Sequence, residues 1–224
     1  AELSIDDIYL TRAERINLAH QVHPLLATRG VPGTHDVELG KTVLEKLRRL
    51  PPEETMALPR FDKSADDRLP AGEWPEVTGP VDLVIFEGWC VGSTAQPAAD
   101  LETPVNQLEA DEDGDGTWRN YVNDQLASVY GELFHMLDAL VFLQAPGFAA
   151  IYRWRVEQER KLAEAAGTGA SQVMDEAGLA RFIQHFERIT RHNFATLPAV
   201  ADVVLELDEG HAVSRATSIR IAKR

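Results

Sequence analysis

The chain has 224 residues, 44% hydrophobic and 26% charged, and 22 Lys+Arg against 36 Asp+Glu leave a formal net charge of −14. That composition excludes a disordered or fibrous chain, and the net negative charge argues against nucleic acid or an anionic membrane as a partner. The single cysteine, Cys90, excludes an internal disulfide, no apolar run reaches the roughly 18–20 residues of a membrane span, and Ala1 to Leu10 lacks the basic start and apolar middle of a signal peptide, so a soluble, cytoplasmic protein is expected.

The apolar residues Leu3 to Ile5 read as a short strand ending at Asp6-Asp7. Thr11 and Glu14 have capping-box spacing, and Ile16, Leu18, Ala19, Val22, Leu25 and Leu26 recur at near-helical intervals, predicting a helix from Ala13 to Leu26 that ends near Gly30. Asp36 caps a second predicted helix with Leu39, Val43, Leu44, Leu47 and Leu50 on one face, stopped by Pro51-Pro52. Loop follows, until Val81 to Phe86 reads as a nearly continuous apolar strand, the kind buried on both faces of a parallel sheet, ending in Glu87-Gly88. The acidic segment Glu109 to Asp115 leads into a predicted long helix through Trp118, Val122, Leu126, Val129, Leu133, Leu137 and Leu140. A second buried strand is expected over Ala139 to Leu143, helices over Phe148 to Ala165 and Asp175 to Thr196, and a last strand over Asp202 to Leu207.

Strands alternating with helices predict an α/β fold with a mostly parallel sheet flanked by helices. Ligands in such sheets sit beyond the carboxyl ends of strands, which directs attention to Asp6-Asp7, Glu87 and Pro146-Gly147. Asp6 or Asp7 could accept a proton from a substrate hydroxyl or approach a metal ion, although spacing alone favours a helix cap. Glu87 is placed to hold Mg²⁺ or its water, or is a solvated strand end. Arg60-Phe61-Asp62-Lys63 with Arg68, and Arg29 with His35-Asp36, form polar clusters that could bind a small anion or be ordinary charged surface loops. Arg153 and Arg155 open a helix where cations oppose the dipole; a phosphate would explain them, as would pairing with Glu157 and Glu159. Two patterns carry no site. Gly40-Lys41-Thr42 lacks the leading glycine of a phosphate-binding loop, with His35 in its place. The run Asp111 to Gly116 lacks a calcium loop's final glutamate, Val122 standing there. Cys90 has no motif partner.

Together, Ser4-Ile5-Asp6-Asp7-Ile8-Tyr9-Leu10-Thr11, Arg29 to Asp36, Leu58 to Ser64, Ile85 to Trp89 and Tyr152 to Glu159 resemble, in order, the D-glycerate 3-kinase-like family of P-loop small-molecule kinases. Uridine kinase, phosphoribulokinase and pantothenate kinase belong to the same superfamily. The resemblance implies a P-loop kinase-like parallel sheet flanked by helices, in one domain over 1–224, with a helical lid at about 148–166. It implies ATP-dependent transfer of a phosphoryl group, with Mg²⁺, to the hydroxyl of a small metabolite. A D-glycerate-like acceptor is favoured; a nucleoside, sugar or pantothenate-like acceptor, or a non-catalytic metabolite-binding relative, is the alternative. By resemblance Asp6 is the catalytic base and Glu87 a catalytic acidic residue that holds Mg²⁺ through water. Arg153 and Arg155 are lid residues facing ATP, and Arg29, His35, Asp36, Arg60, Asp62 and Lys63 surround the acceptor. In the relatives a strand, a glycine-rich phosphate-binding loop and a helix precede the Ser-x-Asp-Asp block, at which this sequence starts. The favoured expectation is therefore the catalytic majority of a longer kinase, marginally stable as this piece alone; the alternatives are that the preceding segment comes from another chain or that this is a non-catalytic relative that only binds a ligand.

Overall fold

The computed structural model describes residues 1–166 and 176–218, apart from the side chains of residues 162, 163, 165 and 166. Asp175, the expected start of the last helix, lies outside them. The chain divides into two compact units, Ala1–Glu102 with Glu112–Met136, and Thr103–Asp111 with Leu137–Arg224.

The first unit opens with β1 (Glu2–Ser4), which turns directly into a single 3-10 turn over Ile5–Ile8. The Ser4 hydroxyl accepts from the Asp6 N–H at 3.2 Å. Ser4, rather than either aspartate, is therefore the cap of this turn, and both carboxylates are left for other partners. The helix α1 (Arg12–Gln21) starts at the predicted capping box, complete on Thr11 and Glu14. It stops before Leu26 because Pro24 has no N–H and restricts the residue before it. Leu25 and Leu26 are buried instead from a separate 3-10 turn, Pro24–Ala27. Asp36 caps α2 (Val37–Arg48) by accepting from the Leu39 N–H at 3.0 Å, and Val43, Leu44 and Leu47 face the core. The Gly40-Lys41-Thr42 decoy lies within this helix, where the Lys41 ammonium pairs with Glu38 at 3.0 Å and Glu132 at 2.8 Å.

The segment read as loop contains two antiparallel pairs, β2 (Thr55–Ala57) with β5 (Glu76–Thr78) and, between them, β3 (Phe61–Asp62) with β4 (Asp67–Arg68). Strands of two or three residues are too short to show alternation, so the sequence gives no sign of them. The strand β6 (Ile85–Glu87) pairs in parallel with β1, Ser4 standing opposite Glu87. The expected strand from Val81, buried on both faces, is corrected here: only its end pairs, and Leu83 and Ile85 are 67% and 55% exposed. Among the described residues, β6 has β1 as its sole sheet neighbour.

After α3 (Gln107–Glu112), the predicted long helix divides into α4 (Thr117–Ala127) and α5 (Val129–Phe134). The break falls at Ser128, whose φ of −115° and ψ of −104° are not helical. Trp118, Val122, Leu126 and Leu133 are nevertheless all buried.

In the second unit, β7 (Val141–Gln144) lies parallel to β8 (Val203–Leu207), which pairs on its other side antiparallel with β9 (Val213–Ser218). The helices α6 (Phe148–Ala166) and α7 (Glu176–Val200) follow the predicted spans closely. The strand β7 is not buried as expected: Val141 and Leu143 are 54% and 59% exposed, because only Phe142 and Gln144 point to the covered face, Phe142 meeting Phe194 of α7. No helix among the described residues is long and apolar enough to cross a membrane.

Candidate active site

Four of the five sequence blocks converge in the first unit. Residues 30–36 are pinned to the 3-10 turn and its exit by backbone bonds, Leu10 N–H to Thr34 O at 2.9 Å and Asp36 N–H to Ile8 O at 2.7 Å. The Trp89 indole N–H holds the Gly30 carbonyl at 3.0 Å, joining the end of β6 to the same loop. Two glycines make the close approach possible. A Cβ on Gly33, at φ +98°, would stand 2.5 Å from Tyr121 Cε1, and one on Gly88 would stand 2.2 Å from Ile5 Cγ2.

Asp6 sits at the centre of this arrangement, its two carboxylate oxygens held by different chemistry. The Tyr9 hydroxyl donates to Oδ1 at 2.8 Å, and the Lys63 ammonium donates to Oδ2 at 2.6 Å. Burial by itself would lift the Asp6 carboxyl, but Lys63 and Tyr9 outweigh it and hold the group below the usual aspartate value. Asp6 is thus an ionised carboxylate at neutral pH. The Lys63 side chain is 61% exposed, so its bond to Oδ2 is the exchangeable one. Asp7 faces the other way: it is buried and accepts from the Phe61 N–H at 3.2 Å and the Arg60 guanidinium at 3.0 Å. Burial raises its carboxyl, the Phe61 and Arg60 donors offsetting only part of that. Of the two carboxylates, Asp7 anchors the 60–63 hairpin and Asp6 presents an accessible oxygen.

The remaining polar residues form the frame. Asp66 accepts the guanidiniums of both Arg29 and the buried Arg15, the latter at 2.9 Å. Arg29 also lies over the Phe61 ring, 5.5 Å from its centroid. Asp36, besides capping α2, takes Arg68 at 3.2 Å, and Arg68 donates to the Tyr9 carbonyl at 2.8 Å. The Asp62 carboxylate closes its own turn on the Ser64 N–H and hydroxyl at 2.8 and 2.6 Å. His35 is buried, its ring stacked on Tyr9 at 4.5 Å. Cys90 is fully buried, and burial pushes its thiol up, so it stays protonated.

Glu87 stands opposite Ser4 with an exposed carboxylate that has no hydrogen bond or ion pair among the described residues. Arg153 and Arg155 belong to the second unit and are described within it. Arg153 pairs with Glu209 beyond β8, and Arg155 pairs with Glu159 at 2.5 Å and Gln158 at 2.7 Å. Trp154 between them donates its indole N–H to the Glu209 carbonyl at 2.9 Å and packs on His211. Sequence reasoning missed Tyr9, Tyr130 and Asp66 as members of the site. Tyr9 sits three residues after Asp6, one turn on, which was a usable signal; Tyr130 and Asp66 act from distant segments and gave none.

No family model matches the chain. It is 30% identical over 220 residues to a chloroplastic D-glycerate 3-kinase of Arabidopsis thaliana, covering 93% of this chain and 46% of that protein. It is 33% identical over 198 residues to an uncharacterised kinase, mug58, of Schizosaccharomyces pombe, covering 83% of this chain and 66% of that one. Among solved structures, a D-glycerate 3-kinase from Cryptococcus neoformans superposes with a TM-score of 0.79 at 26% identity, over 98% of this chain and 79% of that one. The chain belongs to the D-glycerate 3-kinase-like family. Its fold is the α/β, P-loop kinase-like fold of that family. The chain spans about half the length of the plant relative.

Proposed function

We propose that the protein is an ATP-dependent kinase that phosphorylates a hydroxyl of a small hydroxy acid, D-glycerate being the favoured acceptor. The observation that carries this reading is Asp6. It is an ionised carboxylate at the carboxyl end of a parallel strand, with one oxygen fixed by Tyr9 and the other held by a solvent-exposed lysine. The plant and fungal relatives named D-glycerate 3-kinase support the choice of acceptor. A single kinase-like domain with residues 148–166 as its lid, and a cytoplasmic location, go with the proposal.

In this reading the acceptor hydroxyl takes the place of the Lys63 ammonium at Asp6 Oδ2, and Lys63 moves to the acceptor's carboxylate. Asp6 receives the hydroxyl proton as the hydroxyl oxygen bonds to the γ-phosphorus of ATP. The bond from that phosphorus to the β–γ bridging oxygen breaks, ADP leaves with the electron pair, and Asp6 returns its proton to solvent. Arg29 and Arg60 add positive charge around the acceptor, with Asp36, His35 and Asp62 shaping the loops that hold it. Arg153 and Arg155 are assigned to the transferring phosphate, exchanging Glu209 and Glu159 for it.

The residues present fit Mg²⁺ bound mostly through water and phosphate oxygens, the mode this ion favours. Glu87 offers a free carboxylate at a strand end, and no cage of three or more ligating side chains occurs among the described residues. Bound beside Glu87, Mg²⁺ would neutralise charge on the phosphate oxygens.

Release of ADP with D-glycerate, glycerol, uridine, a sugar and pantothenate as acceptors tests the proposal. D-glycerate is expected to give the highest kcat/KM. A nucleoside or pantothenate winning by tenfold would move the acceptor assignment, and no ADP above the ATP-only rate with any of them would leave a non-catalytic binder.

Lys63→Met removes the largest influence that lowers the Asp6 carboxyl, leaving burial, which raises it. The base form is lost as pH falls through this value. The acid limb of kcat/KM is therefore expected to move to higher pH in Lys63→Met, together with a raised KM for a carboxylate acceptor. An acid limb at the wild-type pH would show that Lys63 does not set the state of Asp6.

A further inference from the structure

Tyr130 is buried on α5, 95 residues from His35 in sequence, and its hydroxyl lies 2.6 Å from His35 Nδ1. The same oxygen accepts the Gly33 N–H at 2.9 Å. A phenol oxygen has two lone pairs and one proton of its own. Among the described residues no acceptor other than His35 Nδ1 lies within hydrogen-bond distance of the phenol, so the phenol proton goes to Nδ1. Nδ1 is then the acceptor, and the proton of the neutral imidazole is carried on Nε2.

Nε2 is buried and has no hydrogen-bond partner among the described residues. An unsatisfied buried polar atom in a folded protein calls for an explanation. Its surroundings supply one. The imidazole lies flat on Tyr9, with ring centroids 4.5 Å apart and planes at 21°. The hydroxyl of that same Tyr9 is the one that fixes Asp6 Oδ1. The unmet donor and the carboxylate that receives the acceptor's proton are thus held by one ring.

We propose that Tyr130 is a positioning residue which fixes His35 as a neutral Nε2–H donor, and that this donor takes a carboxylate oxygen of the acceptor. The inference rests on reading the Asp6 site as the acceptor site, and it adds to that reading both the tautomer of His35 and the residue that sets it. Burial holds the imidazole down to about 3, so the ring stays uncharged and serves as a hydrogen-bond donor rather than as a cation or base. Gly33 belongs to the same device: with no Cβ it brings its N–H onto the Tyr130 oxygen while clearing Tyr121.

The test is ¹⁵N NMR of the imidazole nitrogens in the intact protein, with His35 assigned by the signal lost in His35→Gln. The expected wild-type spectrum has Nδ1 unprotonated and Nε2 protonated, and added D-glycerate shifts the Nε2–H signal. Tyr130→Phe is expected to give mixed tautomers and to raise the KM for D-glycerate about tenfold while kcat changes less than threefold. If Tyr130→Phe fails to fold, the His35 pair carries the test: His35→Gln, which keeps an N–H near Nε2, stays within about threefold of wild-type KM, and His35→Leu loses tenfold or more. An Nδ1–H tautomer, or a charged ring, in the wild type overturns the role of Tyr130. An Nε2–H signal unmoved by D-glycerate, L-lactate or malate overturns the donor role. The tautomer is read without turnover, so failure of the kinase reading, shown by no ADP release, is distinguishable from failure of this one.

Discussion

Replacing Asp6 by Asn is expected to lower kcat by about 10²–10⁴-fold, the range for loss of a positioned general base. The substitution keeps the shape and the Tyr9 hydrogen bond and removes only the charge and the ability to take a proton. Tyr9 still donates to the amide oxygen, while the amide NH2 no longer accepts from Lys63, whose exposed ammonium turns to solvent, so the side chain keeps its place and the fold is not at stake. KM for the acceptor is therefore expected to move much less than kcat. The neighbouring Asp7→Asn provides the contrast. Asp7 is buried and holds the Phe61 N–H and Arg60, so its substitution loosens the hairpin and is expected to show in thermal stability and KM before kcat. Equal kcat losses for the two would mean that Asp6 has no special place. Wild-type turnover in Asp6→Asn would remove the base assignment.

The second large effect is on stability, in the second unit. Glu109 is fully buried and accepts both Nε and Nη2 of Arg188, at 2.8 and 2.6 Å, and the Val105 N–H at 3.0 Å. Arg188 is itself buried on α7 and also donates to the Thr103 carbonyl at 2.8 Å. Glu109→Gln leaves an uncompensated guanidinium in a dry place, which costs about 3–5 kcal/mol. With a total stability of about 5–15 kcal/mol for a domain, that is a large share, and it corresponds to a fall of roughly 6–20 °C in melting temperature. Replacing both partners, Glu109→Leu with Arg188→Leu, removes the charge as well as its partner and is expected to recover most of the loss. Differential scanning calorimetry decides it: a single variant melting within about 2 °C of wild type would show that water reaches the pair.

Glu109 also shows where sequence reading stops. The run Glu109 to Asp115 reads as a solvated acidic entry to a helix, because its charges are adjacent and its neighbours polar. In the fold, Glu109 and Asp113 are both buried, and each has its own arginine, Arg188 from 79 residues away and Arg119 at 2.8 Å. Asp113 also receives the Trp118 and Arg119 backbone N–H groups, so the apparent calcium loop is the turn that leads into α4. Local signals fared better where the physics is local. The Thr11–Glu14 box, the Asp36 cap and the helical face of Val43, Leu44 and Leu47 are complete within four or five residues, and all stand as read. The span Leu83 to Ile85 misled, since an apolar run records what a strand can bury and not how many neighbours are present. Of the candidate site, the polar clusters around Asp6, Arg29 and Arg60 were visible in the sequence, and the pairings within them were not. Asp6 depends on Lys63 across 57 residues and His35 on Tyr130 across 95, and neither distance leaves a periodic trace.

The central claim is that Asp6 moves a proton from an acceptor hydroxyl as that hydroxyl receives the phosphoryl group of ATP. Its most direct test is ³¹P NMR of one reaction containing the protein, Mg²⁺, ATP and D-glycerate, run beside Asp6→Asn. The account predicts a new phosphate-ester resonance growing in equal amount with ADP in the wild type and about 10²–10⁴-fold more slowly in Asp6→Asn. ADP accompanied only by inorganic phosphate, or an ester formed equally fast by both proteins, would contradict it.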